Sequence, residues 1–98
     1  MASGAAKVAY GSFLGTGAAL TVKTPGFRPR YVRIVNGTGP NAEWFESMAD
    51  DTAVKHAQTG ATTLLTSDGI TPLADGFGVG ADADLNAAGE VVHFMATE

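Results

Sequence analysis

Glycine and proline interrupt this chain at short intervals, and their spacing constrains the fold more than any other feature of the sequence. Thirteen glycines and four prolines are scattered through 98 residues. Both residue types disfavour helix interiors and favour turns, so long helices have little room. The pattern is typical of many short β-strands joined by turns.

Several segments alternate apolar and polar side chains with the period of two that a half-buried strand requires. The clearest is residues 30–36, where Val32 and Ile34 share one face. The NGTGP segment that follows is rich in turn-forming residues and predicts a hairpin to a second strand at residues 41–48. Residues 91–97 carry apolar groups on both faces, which indicates a central or interface strand. Further strands are predicted at residues 6–13, 19–23, 62–66 and 76–79.

Residues 47–58 are ambiguous between helix and strand. Asp50 or Asp51 can cap a short helix with a narrow apolar stripe, but a strand at residues 52–57 fits equally well. The flanking segments are β, and tertiary context readily overrides helix propensity. We therefore predict an all-β fold, either a small antiparallel β-sandwich or a jelly-roll-like barrel, with at most one short helical turn. Residues 1–7 are predicted to form a flexible N-terminal arm and residues 8–98 a single domain.

Such a domain can bury only a small core. Hydrophobic residues make up 45% of the chain, but 17 of them are alanine. Small domains commonly gain stability by oligomerising or by docking on a larger surface. The absence of cysteine excludes a disulfide framework and thiolate chemistry.

Charge and hydropathy exclude two classes of partner. The net charge of −4 argues against nucleic acid, which is recognised by a basic face. No segment has the pattern of a signal peptide or the length of a membrane span, so no membrane partner is expected. The first half of the chain is basic and the second half acidic, which would steer association only if the two halves occupy different faces.

The candidate catalytic groups are two histidines. His56 follows Asp51 by five residues and His93 follows Glu90 by three, so either spacing is compatible with a contact between the histidine and that carboxylate. No nucleophile motif accompanies them, and catalysis needs several convergent polar groups. We therefore expect a protein that is not an enzyme and that carries no cofactor.

Two loop motifs offer weak signals for ligand binding. Asp82, Asp84 and Asn86 are spaced DxDxN and offer oxygen ligands for Ca²⁺, but the glycine and glutamate of an EF-hand loop are missing. A solvated acidic turn is the alternative. GFGVG at residues 76–80 lacks the spacing of a phosphate-binding loop, so its glycines are assigned to a turn or bulge.

Three segments resemble small virion proteins of tailed bacteriophages. They are TPGFRPRYVRIVNGTG at residues 24–39, AEWFESMADDTAVK at residues 42–55 and GITPLADGFGVGADADLNAAGEVVHFMATE at residues 69–98. In these proteins a GF-x-P-x-x-V-x-I strand precedes a Trp-bearing strand, and ADGF-x-V-G is followed by L-N-x-x-G-E-x-x-H. The resemblance implies a capsid decoration, or cement, protein on the outer surface of the virion head, made in the host cytoplasm.

On this resemblance the partners are the major capsid protein and neighbouring copies of the chain itself, as a trimer or dimer. The expected capsid-binding residues are in the arm and near the strand that follows Pro29: Met1, Ala2, Ser3, Lys7, Arg28, Arg30 and Arg33. A frayed terminus and ordinary solvated basic groups are the alternative interpretation.

Two other functions remain open. The first is a phage fibre or tail-tip domain that binds host surface glycan, although no stalk segment is present in the sequence. The second is a small metal-dependent hydrolase that uses the DxDxN loop and the two histidines.

Overall fold

Eight antiparallel strands form one sheet in the computed structural model of the protein, which describes residues 7–98. They are β1 (Val8–Leu14), β2 (Leu20–Val22), β3 (Tyr31–Asn36), β4 (Asn41–Phe45), β5 (Thr52–His56), β6 (Thr62–Leu73), β7 (Gly76–Val79) and β8 (Val91–Thr97). The order across the sheet is β1-β8-β3-β4-β5-β6-β7-β2, and the sheet is nearly closed into a barrel. The described residues contain no helix, so the all-β prediction is confirmed.

The core lies on the inward side of this curved sheet. Strand β8 pairs with β1 on one side and β3 on the other, as expected for a strand that is apolar on both faces. The inward residues of β3 and β8 are buried, and the Phe94 ring meets Phe77 edge to face with ring centres 5.3 Å apart. The buried hydrophobic residues are Val22, Phe27, Val32, Ile34, Ala42, Trp44, Ala53, Ile70, Phe77, Val79, Leu85, Val92, Phe94 and Ala96.

The helix considered for residues 47–58 is wrong, because the chain forms a turn followed by strand β5. The Trp44 indole N–H donates to the Ala49 carbonyl (3.0 Å), and the Thr52 hydroxyl donates to the same oxygen (2.7 Å). Asp51 has a φ of 66°, which a right-handed helix does not allow. Strand β5 then buries Ala53 completely, so tertiary packing decides between the two alternatives.

Strand β6 is longer than the predicted segment at residues 62–66. Its first half pairs with β5, and its second half, from Ile70, pairs with β7. Asp68 has a φ of 58° between these halves, and the register with β5 shifts there. Pro72 is tolerated because β5 no longer pairs with β6 at that position.

The strand order mixes the two oppositely charged halves of the chain. Strand β8 lies between β1 and β3, and β2 lies beside β7. Strands of the acidic half therefore lie next to strands of the basic half at both ends of the sheet, and the halves do not occupy separate faces.

A buried asparagine, Asn86, joins the segment between β7 and β8 to the connection between β1 and β2. Asn86 is completely buried and donates to the carbonyl oxygens of Ala18 (2.7 Å) and Gly80 (3.0 Å). Its side-chain oxygen accepts from the Thr16 backbone N–H (2.8 Å). One side chain thus holds the β1–β2 connection against the end of β7.

Candidate functional site

All the exposed large hydrophobic side chains among residues 7–98 point outward from the same side of the sheet. We call this side the outer face; it comprises the outward side chains of β1, β8, β3, β4, β5 and the first half of β6. One row across these strands is Tyr10, Met95, Arg33, Glu43, Val54 and Leu64. The six exposed large hydrophobic residues among residues 7–98 are Val8, Tyr10, Leu14, Phe45, Leu64 and Val91.

Four of these six residues form an apolar strip along one edge of the outer face, interrupted only by the exposed Ser12 among the outward residues of β1. Val8, Tyr10 and Leu14 lie on β1, and Val91 pairs with Leu14 from β8. Tyr10 is 72% exposed and Leu14 59%. Successive outward residues on a strand lie about 6.8 Å apart, so the strip is about 20 Å long. Exposed apolar side chains grouped in this way are typical of a contact with another protein.

The centre of the outer face is polar and organised around Glu43. The Tyr31 hydroxyl donates to Glu43 Oε2 (2.7 Å), and Arg33 Nη1 lies 3.9 Å from the same oxygen. His56 Nε2 lies 3.9 Å from Glu43 Oε1. Burial raises the pKa of Tyr31, and the hydrogen bond and negative charge of Glu43 raise it further. Glu43 therefore has three side-chain neighbours on the outward side of the sheet and accepts a hydrogen bond from one of them, Tyr31.

A titration tests this arrangement. In a Tyr10→Phe background Tyr31 is the sole tyrosine, so ultraviolet absorbance reports its ionisation alone. We expect Glu43→Gln to lower the pKa of Tyr31, because the negative charge that opposes tyrosinate is removed. Glu46→Gln, which removes a charge paired with Arg30, is the control and is expected to leave that pKa unchanged. An unchanged midpoint in Glu43→Gln would contradict the arrangement.

The basic residues predicted as one contact group lie in different places. Arg28 donates to the Pro72 carbonyl (3.4 Å), and Arg30 Nε forms an exposed ion pair with Glu46 at 3.4 Å. Only Arg33 belongs to the outer face. Lys7 is exposed just before β1. Met1, Ala2 and Ser3 lie outside the described residues.

The two histidines lie on the outer face but far from each other. His93 and His56 share one row, with Val35 and Asn41 between them. Three strand spacings separate them, which is about 14 Å. His56 lies near Glu43 rather than Asp51. Residues 7–98 contain no cluster of three histidine, aspartate or glutamate side chains suited to a metal ion.

The acidic loop at Asp82 binds a lysine of the same chain. Lys55 Nζ lies 3.0 Å from Asp82 Oδ1 and 2.7 Å from Asp84 Oδ2. Asp82 Oδ1 also accepts the backbone N–H groups of Asp84 (2.9 Å) and Leu85 (3.1 Å). Asn86 is buried elsewhere, so the DxDxN side chains do not converge on one point. Lys55 supplies the counter-charge of this loop, in which the Asp82 side chain is 11% exposed and that of Asp84 46% exposed.

The glycines of GFGVG serve the close approach of backbone segments. A Cβ atom at Gly76 would overlap the Val22 carbonyl oxygen, and one at Gly80 would overlap the backbone of Asp68. These glycines allow β7 to pack tightly against its neighbours.

The fold and the surface define a small all-β module with one partly apolar outer face. Comparisons of the chain with protein-family models, with curated proteins and with solved structures find no match. Among the residues that the structure describes, none forms a helix with the length and hydropathy needed to cross a bilayer.

Proposed function

We propose that the protein is a capsid decoration protein of a tailed bacteriophage. It binds the outer surface of the head and stabilises contacts between major capsid protein subunits. The observation that best supports this proposal is the group of exposed apolar residues Val8, Tyr10, Leu14 and Val91 at the β1 edge of the outer face. A side of the sheet built in this way suits adhesion to another protein. The assignment of the partner rests on the sequence resemblance.

The outer face curves around the exterior of a nearly closed barrel, so its two ends point in different directions and suit contacts with two different subunits. Tyr10 and Leu64 stand at opposite ends of one row, five strand spacings apart. This is about 24 Å along the curved sheet. Packaged DNA pushes outward on the shell, so a protein bound to two neighbouring subunits must be detached before they separate. Each bound copy thereby adds interface free energy to the lattice.

Binding to purified heads tests the proposal. The protein is added to expanded empty heads, and the bound copies per head are counted as its concentration rises. We expect saturable binding, because the shell offers a fixed number of equivalent sites. Binding that never saturates, or no binding, would contradict the proposal. Retention on host surface glycan without binding to heads would instead support a fibre or tail-tip role.

A matched pair of variants tests the outer face itself. Leu64→Glu places a charge at an exposed apolar position of the outer face, whereas Thr59→Glu adds the same charge in the adjoining β5–β6 turn. We expect Leu64→Glu to weaken binding to heads about tenfold or more, since a desolvated charge at an interface is costly. Thr59→Glu is expected to bind as the parent does. Equal effects of the two variants would show that added charge alone weakens binding.

A further inference from the structure

We propose that two copies of the chain associate through the free edge of β1, which joins their sheets into one. The inference does not depend on the phage assignment, because it follows from the backbone of β1 alone. Strand β1 is first in the sheet order and pairs with β8 on one side. Within residues 7–98 no strand pairs with its other side.

The hydrogen bonds at both ends of β1 show which backbone groups are free. The Lys7 carbonyl accepts from the Glu98 N–H, and the Gly15 N–H donates to the Glu90 carbonyl. In an antiparallel ladder the bonded positions alternate, so the odd-numbered residues of β1 face β8. The N–H and C=O groups of four residues therefore point away from β8: Val8, Tyr10, Ser12 and Leu14.

This edge lacks the features that normally prevent pairing with another strand. Its seven residues, VAYGSFL, include no charged residue and no proline. The register with β8 runs from Val8 to Leu14 without a bulge. Protected edges usually carry a lysine, a proline or a bulge. The β1 edge is a straight and uncharged template for a partner strand.

The partner that fits best is a second β1 strand, because the edge is complementary to itself. A two-fold axis at Gly11 places Val8 opposite Leu14 of the second copy and Tyr10 opposite its Ser12. At all of these positions the free backbone N–H and C=O groups point away from β8 and toward the second copy, so the register makes about eight backbone hydrogen bonds. Gly11 brings no side chain to the axis.

Side chains support the same register. Val8 and Leu14 of each copy lie side by side on the outer face, so the two apolar strips meet. No charged side chain lies in the strip, so the charge of −4 on each copy is not concentrated at the contact. The result is a sheet of sixteen strands that displays two outer faces on the same side. If the proposed function also holds, such a dimer attaches bivalently.

Sedimentation equilibrium of the full chain tests the inference. We expect a concentration-dependent mass that approaches twice 10.0 kDa. Ser12→Pro removes an N–H that points away from β8 and leaves the β8 ladder intact. It is expected to raise the dimer dissociation constant at least about tenfold, whereas the Ser12→Thr control is expected to retain dimerisation. Circular dichroism tests whether each variant is folded. If Ser12→Pro does not fold, Tyr10→Lys, which places a charge in the strip, replaces it as the variant expected to weaken dimerisation.

Amide hydrogen exchange locates the contact. The amides of Val8, Tyr10, Ser12 and Leu14 are expected to exchange more slowly as the protein concentration rises. A monomeric mass at every concentration or a trimeric mass would overturn the inference. A dimer whose dissociation constant is unchanged in both Ser12→Pro and Tyr10→Lys would also overturn it. Protection of these amides that does not depend on concentration would place a segment of the same chain on the edge and would also overturn it.

Discussion

Replacing Asn86 by leucine is expected to lower the free energy of unfolding by about 3 kcal/mol. The asparagine side chain is completely buried and makes three hydrogen bonds to backbone groups of Thr16, Ala18 and Gly80. Leucine has the same number of side-chain heavy atoms with the same branching at Cγ but no polar atoms, so those backbone groups lose their partner. The Gly80 carbonyl is buried and cannot turn to solvent. Urea denaturation followed by the fluorescence of Trp44, the single tryptophan, measures the change.

Asn41→Leu is the matched control for this experiment. Asn41 is half-buried on the outer face, and its side chain makes no hydrogen bond to residues 7–98. The same substitution is therefore expected to change stability by less than about 0.5 kcal/mol. If Asn86→Leu and Asn41→Leu have equal effects, the three hydrogen bonds of Asn86 contribute nothing to holding the β1–β2 connection.

The sequence predicted strands best where alternation and glycine boundaries agree. The segments at residues 76–79 and 91–97 coincide with β7 and β8. Strand β6 was underestimated, because Ser67, Asp68 and Gly69 have the composition of a turn. The chain does bend there, with Asp68 in the left-handed region, but it continues as a strand by changing partners from β5 to β7. A change of partner depends on distant segments and leaves no local signal.

The outer face could not be predicted from the sequence for the same physical reason, because it depends on pairing between distant segments. Tyr10 and Leu64 are far apart along the chain, and only the register across six strands brings them into one row. Proximity in sequence also did not show that Arg28, Arg30 and Arg33 have separate surroundings. Only Arg33 lies on the outer face, since the other two precede β3 and contact Pro72 and Glu46.

The contact between Lys55 and the acidic loop is also a long-range pairing. The sequence showed Asp82 and Asp84 as an isolated acidic pair, and nothing in the spacing indicated a basic partner on β5. The structure brings the Lys55 ammonium to both carboxylates; the lysine side chain is 16% exposed, that of Asp82 11% and that of Asp84 46%. The ion pair between Lys55 and Asp82 has so little exposure that it is costly to break.

Lys55→Met is accordingly expected to lower the free energy of unfolding by about 2 kcal/mol at neutral pH, between the values for exposed and fully buried pairs. Methionine keeps most of the apolar length of the side chain but leaves two carboxylates without their counter-charge. Urea denaturation followed by tryptophan fluorescence measures the loss. Lys23→Met is the control, because Lys23 is exposed and forms no ion pair with residues 7–98; it is expected to be neutral within about 0.5 kcal/mol.

The pH dependence separates charge from packing in this variant. Burial raises the pKa of Asp82, but hydrogen bonds from the Asp84 and Leu85 N–H groups and from Lys55 outweigh it, so the pKa is lowered. Burial lowers the pKa of Lys55, but its bonds to Asp84 and Asp82 outweigh that effect and raise it. In the parent protein the stability contributed by Asp82 is present above about pH 4 and is lost as pH falls through its lowered pKa. The contribution of Lys55 is present below about pH 10 and is lost as pH rises through its raised pKa.

Acidification is therefore expected to reduce the difference in the free energy of unfolding between Lys55→Met and the parent protein. Protonation of Asp82 removes an uncompensated charge from the variant, whereas in the parent it breaks the ion pair with Lys55. The two free energies of unfolding should converge below about pH 4. A difference that stays constant from neutral to acidic pH would mean that Lys55 stabilises the loop through its methylene packing and not through its charge.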